Sequence, residues 1–140
     1  MEWRPEHSLG IKEIDDQHKK LLTLFSAIEV SAKLQRSTWQ DILYGVVALR
    51  GMAKSHFEFE EGLMRLYGYT EITAHEKSHR YFFAKLDEIA GKPHHEAATH
   101  ELIAFLGNWF NDHILGDDKG YAEYISAGAS IVRSNVVNFE

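Results

Sequence analysis

Apolar side chains recur along this chain at the i, i+3, i+4, i+7 spacing that lines one face of an α-helix, in four successive stretches. The first runs through Ile11, Ile14, Leu21, Leu22, Phe25 and Ile28, with His18 in phase among them. The second starts at Thr38, an N-cap residue with Asp41 three positions on, and carries Ile42, Val46, Leu49, Ala53 and Leu63 before Gly68 ends it. His56 and Glu60 share its apolar face. The third is opened by Thr70, carries Ile72, Phe82, Leu86 and Ile89, and stops at Gly91-Lys92-Pro93; His75 and His79 stand where core residues would. The fourth has Pro93 near its first turn and carries Leu102, Phe105, Leu106, Trp109 and Ile114, with His113 in phase and Gly116 as its expected end.

Period-two alternation is almost absent and no Gly/Ser tract interrupts the chain, so strands are not predicted and one domain spanning residues 1–140 is expected. Connections as short as residues 67–71 predict an all-α, up-down-up-down antiparallel four-helix bundle with an N-terminal extension. In the tail a short helix is expected over residues 121–126, while the stretch 131–139 has no predicted element and is expected to pack across the bundle.

That topology gathers chemistry at one end. His18 falls near the start of the first helix, His56 and Glu60 toward the end of the second, His75 and His79 near the start of the third and His113 at the end of the fourth. With helices alternating in direction, and a rise of about 1.5 Å per residue, their heights agree to within roughly 15 Å. A lone histidine on an apolar face is usually a core residue bonded to a backbone carbonyl. Five of them with a glutamate, on four facing stripes, would each cost several kcal/mol to bury unpaired. A shared metal that takes up their lone pairs removes that cost. His7, His94, His95 and His100 fall off the stripes and are read as surface residues. Asp15 is read as a cap of the first helix.

Composition narrows the metal. There are no cysteines, which excludes disulfides, thiolate zinc sites and ordinary iron–sulfur clusters and leaves nitrogen and oxygen ligands. A net charge of −6 with scattered Lys and Arg argues against nucleic acid. The longest apolar run is too short to span a bilayer and the first residues lack a secretory signal, so no membrane association and a cytoplasmic location are expected. A monomer is the default.

His75-Glu76-Lys77-Ser78-His79 spells the HExxH signature of zinc peptidases. Against that reading, Phe82 stands where a metzincin extension needs glycine, and Glu76 lies on a face turned from the core. A ferritin-like carboxylate site needs two Glu-x-x-His motifs from separate helices, and only Glu76-x-x-His79 has that spacing.

The chain resembles the hemerythrin family, specifically its bacterial single-domain members, from Trp3 to about Tyr121. The resemblance is carried by Gly10-Ile11 with Ile14-Asp15-Asp16-Gln17-His18, by the run from His56 to Met64, by His75-x-x-x-His79, and by Trp109-Phe110-Asn111-Asp112-His113-Ile114 with Asp118-Lys119. It implies two iron ions joined by an oxo or hydroxo bridge, His75, His79 and His113 on one and His18 and His56 on the other, with Glu60 and Asp118 bridging. The second iron then keeps an open position for dioxygen. Helix geometry alone selects Asp117, one turn after His113, as the inward carboxylate; the family pattern selects Asp118.

Phe57, Trp109, Phe110 and Ile114, with Trp3, are expected to line the oxygen pocket and exclude water; the family more often has leucine where this chain has Phe110. No Ser, Lys or Tyr stands out as an acid or base at the centre, so the expected function is reversible dioxygen binding for storage, transport or delivery, with an oxygen-consuming enzyme as a recipient, and not catalysis. The alternatives are a di-iron enzyme acting on peroxide, nitric oxide or ferrous iron, a redox or oxygen sensor, and, remotely, the zinc peptidase.

Overall fold

The computed structural model describes the backbone of residues 1–34, 37–93 and 96–138, and side chains as far as residue 128. Five α-helices account for most of it: α1 (Lys12–Lys33), α2 (Trp39–Tyr67), α3 (Ile72–Ala90), α4 (Glu96–Asp112) and α5 (Lys119–Asn138). No strand occurs among the described residues. Helices α1 to α4 form the antiparallel bundle, each packed on the next and α4 returning to α1. Among the described residues no helix is long and apolar enough to cross a membrane.

Each helix begins and ends for a local reason. Thr38 caps α2 in a reciprocal box: the Asp41 backbone N–H donates to Thr38 Oγ1 at 3.1 Å and the Thr38 N–H donates to Asp41 Oδ2 at 2.9 Å. Gly68 ends α2 in the left-handed region, at φ 65°, where an L side chain would be strained. Helix α3 begins at Ile72 with Glu71 as its N-cap and no capping side chain, so Thr70 does not open it. Asp15 does not cap α1 either: its carboxylate reaches back to the Leu9 N–H at 2.8 Å and the Ser8 hydroxyl at 2.6 Å, tying the preceding loop to the first turn.

Inward-facing residues of α1–α4 form the main core, including Leu21, Phe25, Leu49, Phe82, Leu86 and Leu106. Helices α1 and α2 come close at Gly45, where an added Cβ would lie 2.9 Å from Ile28 Cγ1. The N-terminal extension lies along α1, with the Met1 ammonium on Glu29 at 2.6 Å and Ser26 Oγ donating to the Met1 carbonyl at 2.7 Å. It carries a short 3₁₀ turn, Pro5–His7, in which His7 is buried: its Nδ1 accepts from the Arg4 N–H and its ring lies against Trp3. The surface reading of His7 is thus corrected, because that turn folds the ring under Trp3. His100 is exposed as expected, and His94 and His95 lie outside the described residues.

The chain does not stop at Gly116. Residues His113–Asp118 form a π-helical turn that carries α4 straight into α5. The tail is therefore one helix, Lys119–Asn138, where a short one over residues 121–126 was expected. Its first turns bury Tyr121, Ala122 and Ile125, and Tyr121 and Ile125 join Met64 in a second apolar cluster. Glycine at an exposed point of a continuous helix is tolerated at a cost of about 1 kcal/mol, so Gly116 alone could not end it. The side chains of residues 131–139 lie outside the described set.

Removing the α2 cap is expected to matter measurably: Thr38→Ala should destabilise the chain by about 1 kcal/mol, read as a lower urea midpoint with an unchanged denaturant slope.

Candidate metal centre

Seven side chains meet at the end of the bundle where α1 and α3 begin and α2 and α4 end: His18, His56, Glu60, His75, His79, His113 and Asp118. All are buried, and Glu60 and Asp118 have no exposed surface. Their ligand atoms fall into two groups, each within 4.8 Å: Glu60, His75, His79, His113 and Asp118 in one, and His18, His56, Glu60 and Asp118 in the other. The two carboxylates belong to both groups.

The distances within the groups fit a cation. Asp118 Oδ1 is 2.9 Å from both His75 Nε2 and His113 Nε2, Asp118 Oδ2 is 3.1 Å from His18 Nε2, and His79 Nε2 is 3.0 Å from His113 Nε2. For metal–ligand bonds of about 2.1 Å, adjacent ligands lie about 3.0 Å apart in an octahedron and about 3.4 Å apart in a tetrahedron. The octahedral spacing is the closer match. Moreover, both oxygens of Glu60 and of Asp118, both nitrogens of His18 and His75 Nε2 have no hydrogen-bond partner, although they lie so near one another. Buried polar atoms are rarely left so. They converge on shared points, as ligands do, and do not align on one another.

The outer nitrogens are held from neighbouring helices. Gln17 Oε1 on α1 accepts from His56 Nδ1 at 2.6 Å, Glu61 Oε2 on α2 lies 3.4 Å from His79 Nδ1, and Ser78 Oγ on α3 lies 3.2 Å from His113 Nδ1. Such contacts fix which ring nitrogen is free to face inward. Asp117 also reaches His113 Nδ1, at 3.3 Å. The conflict between Asp117 and Asp118 resolves here. In an α-helix the residue four on from His113 would share its face, but the π turn closes on the fifth, which brings Asp118 inward and leaves Asp117 to hold the back of the ring.

Charge follows the same geometry. Burial opposes a charge on His113, but Asp118 and Asp117 overcome it and raise its pKa to about 10. His79 is pushed down to about 2 by burial and by the neighbouring imidazoles of His113 and His75. Without a cation His113 thus holds a proton between Asp117 and Asp118, beside a neutral His79. Burial pushes Asp118 up, yet the charge of His113 holds it well below the usual carboxylate range.

Phe57 stacks on His79 with ring centroids 3.7 Å apart, and Trp109 stacks on His113 at 4.1 Å. Phe57 also lies near His56, so it spans both donor groups. Phe110 and Ile114 are buried in the main core, Phe110 against Phe25 and Trp109. Trp3 is half-buried on the extension, its ring against His7 and under the Lys19 ammonium.

Sequence reasoning named the seven side chains that the structure gathers here and missed those packed around them: Gln17, Glu61, Ser78, Asp117 in its holding role, and Tyr121. A Ser and a Tyr do stand near the cluster, neither of them singled out by the sequence pattern. Ser78 touches His113, and Tyr121 is fully buried with its ring 5.3 Å from His75 and its hydroxyl unpaired. Burial and the charges of Glu60 and Asp118 raise the Tyr121 pKa, so it keeps its proton and is a poor acid. Glu76, the general base of the peptidase reading, instead lies 3.8 Å from Arg80 on the outer side of α3.

A family model described as the hemerythrin HHE cation binding domain matches residues 9–125. A bacteriohemerythrin of Stenotrophomonas maltophilia is 32% identical over 131 residues, 89% of this chain and 81% of that protein. A bacteriohemerythrin of Clostridium acetobutylicum is 28% identical over 128 residues, covering 86% and 98%. A hemerythrin-like protein of Naegleria gruberi is 29% identical over 119 residues, covering 85% and 88%.

Two outcomes are expected. Asp118→Asn should weaken Co²⁺ binding by more than about 100-fold, and Asp117→Asn, which loosens only the back of His113, by roughly 10- to 100-fold; isothermal titration compares them. In the metal-free chain the His79–His113 pair should confer its greatest stability near pH 6.5. Above that value the folded state alone retains the His113 proton, so stability is lost as pH rises through about 10. Below it the unfolded state binds one more proton than the folded, because His79 stays neutral down to about 2, so stability is lost as pH falls. Urea midpoints against pH should show this dome flattened in a His79→Leu/His113→Leu chain.

Proposed function

The chain belongs to the hemerythrin family, a cation-binding family, and from that premise we propose that it binds dioxygen reversibly at a centre of two iron ions, for storage or delivery to an oxygen-consuming enzyme. The observation that carries this reading is the division of the donors into two groups that share Glu60 and Asp118. In this reading His75, His79 and His113 would hold one iron and His18 and His56 the other, with Glu60 and Asp118 available to both. The group with one imidazole fewer would leave its iron a position for an exogenous ligand. Two ferrous ions there would supply one electron each to bound dioxygen and recover them on its release.

The chain's own residues do the rest. Glu61, Gln17, Ser78 and Asp117 hold imidazole rings from behind, so that their inner nitrogens stay deprotonated and aimed. Phe57 and Trp109 cover His79 and His113 with stacked rings and exclude water from that side. Phe110 and Ile114 would complete the apolar surroundings from the buried core. Tyr121 retains its proton, and a carrier benefits from having no ready acid beside the bound ligand.

Metal analysis joined to an anaerobic-to-aerobic ultraviolet–visible titration tests the proposal. The expected result is two irons per chain and a charge-transfer band that appears with oxygen and vanishes on its removal. Zinc alone would sink it. So would iron that oxidises once and never returns, and steady-state turnover of peroxide or nitric oxide would then make the centre an enzyme's.

A further inference from the structure

The donors are buried so completely that a cation cannot reach them from solvent without an opening. One cleft provides it. A cavity of about 290 Å³ lies between the α2–α3 connection, the start of α3 and the π turn, lined by Tyr69, Glu71, Ala74, His75, Gly116, Asp117 and Gly120. Its floor is a donor of the metal centre: His75, 4% exposed, turns Nε2 toward Asp118. Among the described residues its ionisable wall residues besides His75 and Tyr69 are the carboxylates Glu71 and Asp117, and no Lys or Arg of that set lines it.

We infer that this cleft is the route by which a divalent cation enters and leaves the centre, with Glu71 and Asp117 attracting it at the mouth and His75 receiving it at the floor. The inference rests on the centre being a cation site. Negative potential converges there, since Glu71, Asp117 and Asp118 all add to burial in raising the Tyr69 pKa. Asp117 spans the whole path, from the cleft wall to His113 Nδ1 at 3.3 Å. The cavity on the α2–α3 flank, of about 310 Å³, is lined by Arg50 and Lys54 as well as Glu58 and Glu61, and none of the seven side chains of the centre lines it. The entry cleft owes its opening to missing side chains. Gly116 has open space where a Cβ would be added, and Ala74 is exposed on the opposite wall. Larger residues at either point would project into the path without displacing a donor.

A residue on the path and a residue of the centre differ in one measurable respect. Blocking the path slows entry and exit by the same factor and leaves affinity unchanged; disturbing the centre changes affinity. The test uses full-length protein and Co²⁺, followed by its d–d absorption. Uptake is recorded by stopped flow after mixing with metal-free chain, and release by transfer from loaded protein to a chelator in excess. Gly116→Leu and, separately, Ala74→Phe should each slow both steps by about tenfold or more, with the dissociation constant unchanged. Glu71→Gln should slow uptake by about threefold at low ionic strength, a difference that disappears in roughly 1 M salt. Unchanged rates in both plugged chains would overturn the inference, and so would a weakened affinity without the paired slowing. If the unaltered chain takes up no Co²⁺, the cation-site premise itself fails, and that outcome is read before any variant is made.

Discussion

Two buried carboxylates facing five buried imidazoles, with no ammonium or guanidinium among them, are the constraint to which the rest of the structure answers. Such a set is costly when empty, because Glu60 and Asp118 have no surface through which water could solvate them and no aligned donors to replace it. Without a metal the cluster compensates in part by holding one proton on His113 against a neutral His79. A cation relieves the whole set at once, which couples metal binding to the stability of the bundle end. The main core runs from Phe57 and Ile114 beside this end along the bundle to Leu49, Leu86 and Leu106, which touch none of the seven side chains' polar atoms. The fold can therefore carry an end that is unfavourable by itself.

The π turn is the local device that makes the second carboxylate available. A helix that continued regularly past His113 would present Asp117 to the centre and turn Asp118 aside. Closing the turn on the fifth residue reverses the two, and both carboxylates become useful: one inside the cluster, one behind His113. The same turn hands the chain to α5, whose Tyr121 then lies under His75. One irregular turn thus sets a buried carboxylate of the cluster, a support behind His113 and the packing of the tail. Single π turns inside α-helices are uncommon and recur at functional sites, and here the reason is geometric.

The stripes made the four bundle helices legible because amphipathic periodicity is the signature of a buried face, and the donors stood out because histidine and glutamate interrupted those stripes in phase. Thr38 and Gly68 marked their helix ends for reasons that act within a few residues. What periodicity could not reveal lay where the period changes. At Gly116 a residue-type rule suggested a stop, whereas the burial of Tyr121 and Ile125 against Met64 carried the helix on. His7 was misplaced for a related reason: its burial comes from a 3₁₀ turn in the extension, which has no apolar stripe. Only the family pattern selected Asp118, because regular helix geometry has no place for a fifth-residue partner.

Three of the supports follow a rule that is visible once the bundle is assembled. Gln17 precedes His18 and holds His56; Glu61 follows Glu60 and holds His79; Ser78 precedes His79 and holds His113. In each case the residue beside a donor in sequence secures the histidine of the next helix. A neighbour at i±1 sits about 100° round the helix from its donor, which in an antiparallel bundle points it at the adjoining helix and not at the centre. The donor and its neighbour therefore divide the labour, one facing the metal and the other orienting a ring across the groove. Polar residues flanking an in-phase histidine look like ordinary solvated surface in the sequence. Their direction becomes informative only when the order of the helices around the bundle is known, and the short connections of this chain supply that order.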